Sequence, residues 1–168
     1  KHSYCSPLYW NERAMTYGAA FTAEVDSFDG GYNDPRIHRF QHAGAGGITN
    51  ARSIAKIYSS TVCITDGIRL LNDQSIANAI SRPNPGRNVF NDPEPYPIHS
   101  LGFEVANPEH SPVLGPRMFA HDGLGGQQGF ADPDSKIGFG YTTNWIPRVA
   151  DGMARHRELT RVLKEILH

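Results

Sequence analysis

The segment with the clearest chemical potential is a histidine followed by a cluster of glycines, at residues 121–126. His121 ends an apolar run, Gly123 stands two residues later, and Gly125 and Gly126 follow. Glycine in or beside a strand lets another molecule approach the backbone closely. Backbone N–H groups at an exposed strand can stabilise a developing oxyanion. The pattern fits either the wall of an acyl-transfer site or a plain glycine bend whose histidine only caps a strand.

A second pattern, Ser53-Ile54-Ala55-Lys56, has the S-x-x-K spacing that places a serine one helical turn from a lysine. A neighbouring lysine can activate such a serine as a nucleophile. Only two residue types define this pattern, so it arises easily by chance. Ser53 also falls opposite the apolar positions of its helix, and we therefore interpret the pair as part of a solvated helix face.

Signals for metal binding and disulfides are weak. His38 and His42 have the i, i+4 spacing of metal ligands on a helix, but no acidic residue lies between them and glycines follow directly. The two cysteines, Cys5 and Cys63, are far apart and outside zinc-site spacings, which favours unpaired thiols of a reducing compartment. The sequence predicts no metal site and no cofactor, and otherwise leaves the localisation open.

Two helices and a series of strands would position these residues. Apolar residues at 51, 54, 55 and 58 predict a helix capped by Thr49 or Asn50, and a second helix is predicted over 73–80 with Asn72 as its cap. Short strands are predicted at 101–105 and 117–121. Two further strands, at 127–131 and 136–143, flank an Asp-Pro turn and should pair antiparallel.

A closing amphipathic helix is predicted over 153–167, with an apolar stripe. The stripe comprises Leu159, Val162, Leu163 and Ile166. These elements together indicate an antiparallel sheet covered by helices. Because the closing helix covers one face of that sheet alone, we expect an apolar surface to remain exposed.

The composition of the chain and the motifs it lacks exclude several classes of function. The 168 residues suffice for one domain, and 17 glycines with 12 prolines predict a loop-rich fold. A net charge of −1 without a basic cluster argues against nucleic-acid binding, and no apolar run reaches membrane-spanning length. The sequence has no G-x-S-x-G, no P-loop and no H-E-x-x-H, which excludes the usual α/β-hydrolases, nucleotide-binding P-loop proteins and zinc proteases.

Three blocks, taken in order, resemble the serine β-lactamase-related family, which includes class C β-lactamases, penicillin-binding D-alanyl-D-alanine carboxypeptidases and related esterases. The blocks are HAGAGGITNARSIAK from His42, LGF from Leu101 and FAHDGLGGQQGFADPDSKIGFGYTTN from Phe119. The third is the most specific. The resemblance covers residues 42–168, whereas 1–41 read as irregular. It implies an α+β, β-lactamase/transpeptidase-like fold with an antiparallel sheet flanked by helices.

The resemblance also implies roles for individual residues. His121-Asp122-Gly123 matches the family's third motif, on an edge strand beside the acyl pocket. His121 would stand in the place of the usual lysine as a catalytic residue, and Leu124 would supply a backbone N–H to the oxyanion hole. Asp122, Gly123 and Gly125 would contact the substrate, and Asp122 occupies a position that is usually Thr or Ser.

The order of the motifs implies that the nucleophile lies elsewhere. In the family, Ser-x-x-Lys and Tyr-x-Asn both precede the block that begins here at His42, and only 41 residues precede it in this chain. We therefore expect residues 1–168 to be the C-terminal part of one domain, a partial domain that is inactive alone. Its partner would be the N-terminal half of the hydrolase, on the same or a separate chain, and its substrate a small acyl compound. The alternative is a non-catalytic binding or scaffold domain that keeps the fold and lacks the nucleophile.

Overall fold

The computed structural model describes residues 33, 35–39, 43–84, 94–123, 125–145 and 149–167. The chain forms two compact units, Lys1–Ile48 with Gly86–Pro93, and Thr49–Pro85 with Glu94–His168. In the first unit the described element is the short helix α1 (Pro35–Arg39). Most of the region predicted to be irregular, residues 1–41, lies outside the described residues.

Two helices open the second unit, α2 (Ala51–Val62) and α3 (Asp73–Ile80). Each begins at an asparagine, Asn50 or Asn72, whose side-chain oxygen accepts the backbone N–H three residues later. This contact satisfies one of the N–H groups that the first turn of a helix leaves without a partner. Both predicted helices and their caps are confirmed.

Five antiparallel strands follow as a meander in which each strand pairs with the next along the chain. The strands are β1 (Ile98–His99), β2 (Glu104–Val105), β3 (Phe119–Asp122), β4 (Gln128–Asp132) and β5 (Ile137–Tyr141). The predicted pairing of the last two is confirmed, since Asp132 lies opposite Ile137. Asp132 Oδ2 accepts hydrogen bonds from the backbone N and the Oγ of Ser135, at 2.8 and 2.6 Å, and so closes the predicted turn.

The strand predicted at 101–105 is only two residues long. The backbone N–H of Ser100 donates to the carbonyl of Phe103 at 2.8 Å, and Gly102 between them has a φ of +85°. Residues 100–103 therefore form a turn, and extended pairing starts at Glu104. This turn joins β1 and β2 into a hairpin. Strand β1 was not predicted, because it follows a proline-rich stretch.

Helix α2 packs directly on the backbone of β4 and β5. A Cβ atom added to Gly138 would lie 2.1 Å from the backbone N of Ser59, and one added to Gly140 would lie 2.4 Å from the carbonyl oxygen of Ala51. Glycine at these positions is what lets the helix approach so closely. Helix α2 therefore covers the face of the sheet that the closing helix leaves open. Apolar side chains are still exposed, as expected, on and just after α2, at Ile57, Ile64 and Ile68.

The opposite face of the sheet carries a separate apolar cluster beneath the closing helix α4 (Val149–Leu167). Phe130 of β4 stacks on Phe139 of β5 with 4.6 Å between ring centroids, and Leu163 of α4 packs against the cluster. No helix in the described part of the chain is long and apolar enough to cross a membrane.

The predicted apolar stripe of the closing helix is largely wrong. Leu159 is 45% exposed and Ile166 is 75% exposed, whereas His156 and Thr160 are buried. The buried positions 156 and 160 and the partly buried position 163 have the spacing of one helical face, which is rotated from the predicted one. Thr160 tolerates burial because its hydroxyl donates to the carbonyl of His156 at 2.9 Å within the helix.

Candidate functional site

His121 and Asp122, two of the predicted site residues, lie at the end of strand β3. The strand is the third of five, so the predicted edge-strand position is wrong for β3 as a whole. The β1–β2 hairpin adds two strands on that side, but the register of β2 on β3 extends only from Phe119 to Ala120. His121 and Asp122 continue to pair with β4 on the other side. The last two residues of β3 therefore form a local margin next to the end of β2.

His121 lies at this margin with 58% of its side chain exposed. Its Nδ1 is 2.7 Å from the carbonyl oxygen of Asp122. Because a carbonyl oxygen can only accept, Nδ1 carries the proton in this contact, and the neutral ring keeps a lone pair on Nε2. The imidazole is thus held by its own strand and has one nitrogen available to accept a hydrogen bond or a ligand.

Two further residues, Glu104 and His99, lie beside the same margin. Neither was predicted from the sequence to be a site residue. The β1–β2 hairpin places His99 opposite Glu104. His99 Nε2 is 3.7 Å from Glu104 Oε1, and His121 Nδ1 is 3.9 Å from the same oxygen. We call these three residues the His–Glu–His cluster. Burial, followed by the neighbouring His121 charge, lowers the pKa of His99.

Asp122 is half-buried beside Glu104. Burial raises the pKa of Asp122 to about 6, and the charge of Glu104 and a side-chain hydrogen bond to it act in the same direction. A carboxyl that keeps its proton near pH 6 can donate to a neighbouring carboxylate instead of repelling it. Asp122 and Glu104 therefore form a carboxyl pair, one of whose members holds a proton in mildly acidic solution.

The glycines after β3 form a tight turn that returns the chain to β4. The N–H of Gly123 donates to the carbonyl of Gln127 at 2.8 Å, and the N–H of Gly126 donates to the carbonyl of Gly123 at 2.9 Å. Gly125 and Gly126 have φ values of +94° and +87°, which other residues rarely adopt. The Gly123 amide is thus used within the turn. Leu124, predicted to supply the oxyanion N–H, lies outside the described residues.

The Ser53–Lys56 pair lies on α2, as the interpretation of a helix-face pattern requires. Lys56 Nζ is 2.5 Å from Asp66 Oδ2, so its charge is paired with a carboxylate at the far end of the helix. The backbone N–H of Ser53 is bonded by the cap of α2. Of the other candidates, Cys63 is a free thiol, while Cys5 and His42 lie outside the described residues.

A comparison with known protein families shows to which family the chain belongs. The protein family described as Beta-lactamase matches residues 8–163. The chain belongs to the beta-lactamase family. Its fold is accordingly the β-lactamase/transpeptidase-like fold of serine hydrolases, which confirms the resemblance found in the three sequence blocks. The family match begins well before His42, where the recognisable motifs begin.

Among solved structures, this beta-lactamase-family chain is similar to EstA from Arthrobacter nitroguajacolicus Rue61a. The two share 24% identity with a TM-score of 0.46, over 67% of this chain and 32% of that one. The chain thus matches about a third of the length of that protein. No curated protein sequence matches it significantly.

Proposed function

We propose that this chain forms one wall of the active site of a serine hydrolase that cleaves small esters, amides or β-lactams through an acyl-serine intermediate. Family membership supports the reaction class. The observation that carries the assignment is the exposed imidazole of His121 at the margin of β3, where the chain has the motif His121-Asp122-Gly123. The nucleophilic serine belongs to the N-terminal half of the hydrolase, on the same or a separate chain.

In the proposed reaction the serine hydroxyl attacks the acyl carbonyl, and the leaving alcohol or amine takes a proton as the acyl-serine forms. Water then releases the acid. His121 accepts a hydrogen bond from the reacting group through Nε2, and the Leu124 amide stabilises the oxyanion. Gly123 and Gly125 contact the substrate without side chains that would fill the pocket.

In this proposal Asp122 acts on the His121 imidazole as well as on the substrate. Its carboxyl lies beside Glu104, and the carbonyl of the same residue accepts from His121 Nδ1. The substrate-binding role of Asp122 therefore includes fixing the orientation of the imidazole. The third position of the family motif is glycine in this chain, and a Cβ atom there would lie 3.6 Å from Oε1 of Gln127.

The test uses the protein that contains this chain together with its N-terminal half. We expect burst kinetics with nitrophenyl acetate and covalent labelling by a fluorophosphonate probe. His121→Ala should lower kcat/KM by about a hundredfold, the usual loss when a positioned hydrogen-bonding group is removed. His38→Ala removes an exposed histidine of helix α1 and is the matched control.

Equal activity of His121→Ala and the wild type would exclude the proposed role of the imidazole. Absence of both burst and labelling would favour the alternative, a binding or scaffold domain without catalytic activity. Native mass spectrometry of the purified protein tests the partner, because a separate N-terminal polypeptide would appear as an added mass.

A further inference from the structure

We propose that His99, Glu104 and His121 bind a divalent transition-metal ion of the zinc class, and that the bound ion withholds His121 from the acyl pocket. The first half of this proposal stands on the geometry of the cluster. The second half rests on the proposed function. Such a site was not predictable from local motifs, because its three ligands come from three different strands.

The distances of the His–Glu–His cluster are close to those of a metal site. Each residue offers one nitrogen or oxygen atom, and these three atoms lie within 4.8 Å of one another. A tetrahedral zinc ion with bonds of about 2.0–2.1 Å holds its ligand atoms roughly 3.3 Å apart. Closing the site therefore requires the ligand atoms to approach one another by up to about 1.5 Å, which rotation of the exposed histidine side chains can supply.

The three residues differ in mobility in a way that suits ligand capture. Glu104 is only 12% exposed, and its position in the β1–β2 hairpin opposite His99 holds it in place. His99 and His121 are 53% and 58% exposed. The His99 ring can turn toward the carboxylate, and the His121 ring can do so once its Nδ1 gives up the hydrogen bond to the Asp122 carbonyl. The buried carboxylate thus provides a fixed ligand, and the two imidazoles can adjust around it.

The chemistry of the ligand set favours zinc over the commoner cations. Neutral imidazoles and one carboxylate suit zinc and its neighbours in the transition series, whereas calcium and magnesium prefer sites made only of oxygen. Two neutral imidazoles and one negative carboxylate leave a bound divalent ion with one net positive charge. A fourth position remains for water, as in zinc sites that have three protein ligands.

One backbone contact competes with metal binding at His121. The nitrogen of His121 that faces Glu104 is Nδ1, at 3.9 Å from Oε1, and it donates to the carbonyl of Asp122 at 2.7 Å. A bound ion would replace that hydrogen bond, and the proton of the neutral ring would then reside on Nε2.

Occupancy of the site would have a direct consequence for hydrolysis. The lone pair of His121 cannot serve the metal and the substrate at the same time. Zinc should therefore inhibit the hydrolase reversibly, at concentrations that match its binding. His99 lies outside the proposed catalytic machinery, so its removal separates metal binding from activity.

The test is a calorimetric titration of the metal-free protein with zinc chloride. We expect one zinc ion per chain in the wild type and in the control His38→Ala. His99→Ala and Glu104→Gln should each weaken binding by about tenfold or more, and circular dichroism would verify that both variants remain folded. His99→Ala should also keep its activity in zinc that inhibits the wild type.

Absence of zinc binding by the folded wild type, or equal binding by the wild type and both cluster variants, would overturn the site. Binding that leaves nitrophenyl acetate hydrolysis unchanged would overturn the withholding of His121. A protein that binds zinc through the cluster but hydrolyses nothing would support the site and contradict the proposed function. The two failures are thus distinguishable.

Discussion

Replacing Gly138 by alanine tests the closest contact in the fold. A Cβ atom at this position would lie 2.1 Å from the backbone N of Ser59, 2.5 Å from its Cα and 2.6 Å from the carbonyl oxygen of Ala55. All three atoms belong to the backbone of α2. No side-chain rotation can therefore relieve the overlap, and the helix itself must move away from β5.

The size of this movement sets the expected cost. Non-bonded heavy atoms require roughly 3.5 Å, so α2 must shift by more than about 1 Å along a contact that extends from Gly138 to Gly140. Overpacking of a well-packed core costs about 1–3 kcal/mol, and occasionally more. Alanine regains at most about 1 kcal/mol by restricting the unfolded chain. Because the clash involves only backbone atoms, we expect the upper end of the overpacking cost, about 3 kcal/mol, and therefore a net loss of about 2–3 kcal/mol in the free energy of unfolding.

The measurement is urea unfolding followed by circular dichroism, with Gly47→Ala as the matched control. A Cβ on Gly47 meets nothing within 4 Å, so that substitution should change stability by less than about 0.5 kcal/mol. For a chain of this size the Gly138→Ala loss corresponds to a fall in Tm of roughly 4–12 °C. Equal urea midpoints for Gly138→Ala and Gly47→Ala would refute the close approach of α2 to β5.

Three further substitutions test the titrating groups and a helix cap. Burial, with the charge of Glu104, raises the pKa of Tyr58 to about 12. The hydroxyl therefore ionises more readily in the unfolded chain, and the free energy of unfolding of the wild type should fall between about pH 10 and 12. Tyr58→Phe should abolish this fall, as measured by urea midpoints across that pH range. Since the pKa of Asp122 is raised to about 6, its contribution to stability is full below about pH 4 and is lost as the pH rises through 6. Asp122→Asn should thus be more stable than the wild type at pH 8, and an unchanged pH profile would contradict this interpretation. Asn72→Ala should cost about 1 kcal/mol by removing the cap of α3, whereas Asn72→Asp should retain most of the stability in the same urea assay.

Elements governed by local contacts were predictable from the sequence. The caps at Asn50 and Asn72 depend on residues three positions away, and the turn closed by Asp132 depends on Ser135. Such patterns need no knowledge of the rest of the fold. The start of α2 and α3 and the pairing of β4 with β5 follow from them.

The buried face of α4 was not predictable in the same way. The hydrophobic pattern predicted that Leu159 and Ile166 belong to the packed face, but the helix buries Thr160 and His156 instead. The hydroxyl of Thr160 is satisfied inside the helix, so its burial costs little. Side-chain polarity alone therefore does not identify the packed face when a polar group can bond to its own backbone.

The contact of α2 with the sheet left a signal that hydrophobic patterning does not register. Gly138 and Gly140 flank Phe139 on β5, so both glycines share one face of the strand while the ring occupies the other. A glycine repeat with a period of two marks a strand face that another backbone approaches. Reading that repeat would have predicted a helix on this face of the sheet.

The composition of the site depends on a turn some twenty residues upstream of His121. Gly102, with a φ of +85°, allows the chain to reverse after β1 and delays extended pairing until Glu104. Because β2 begins there, its register on β3 reaches Ala120 and no further. The same turn brings His99 opposite Glu104. The turn at Gly102 thus leaves His121 at the margin of β3 and also places the Glu104 carboxylate and the His99 imidazole beside it. Neither consequence can be predicted from the local sequence around residue 121.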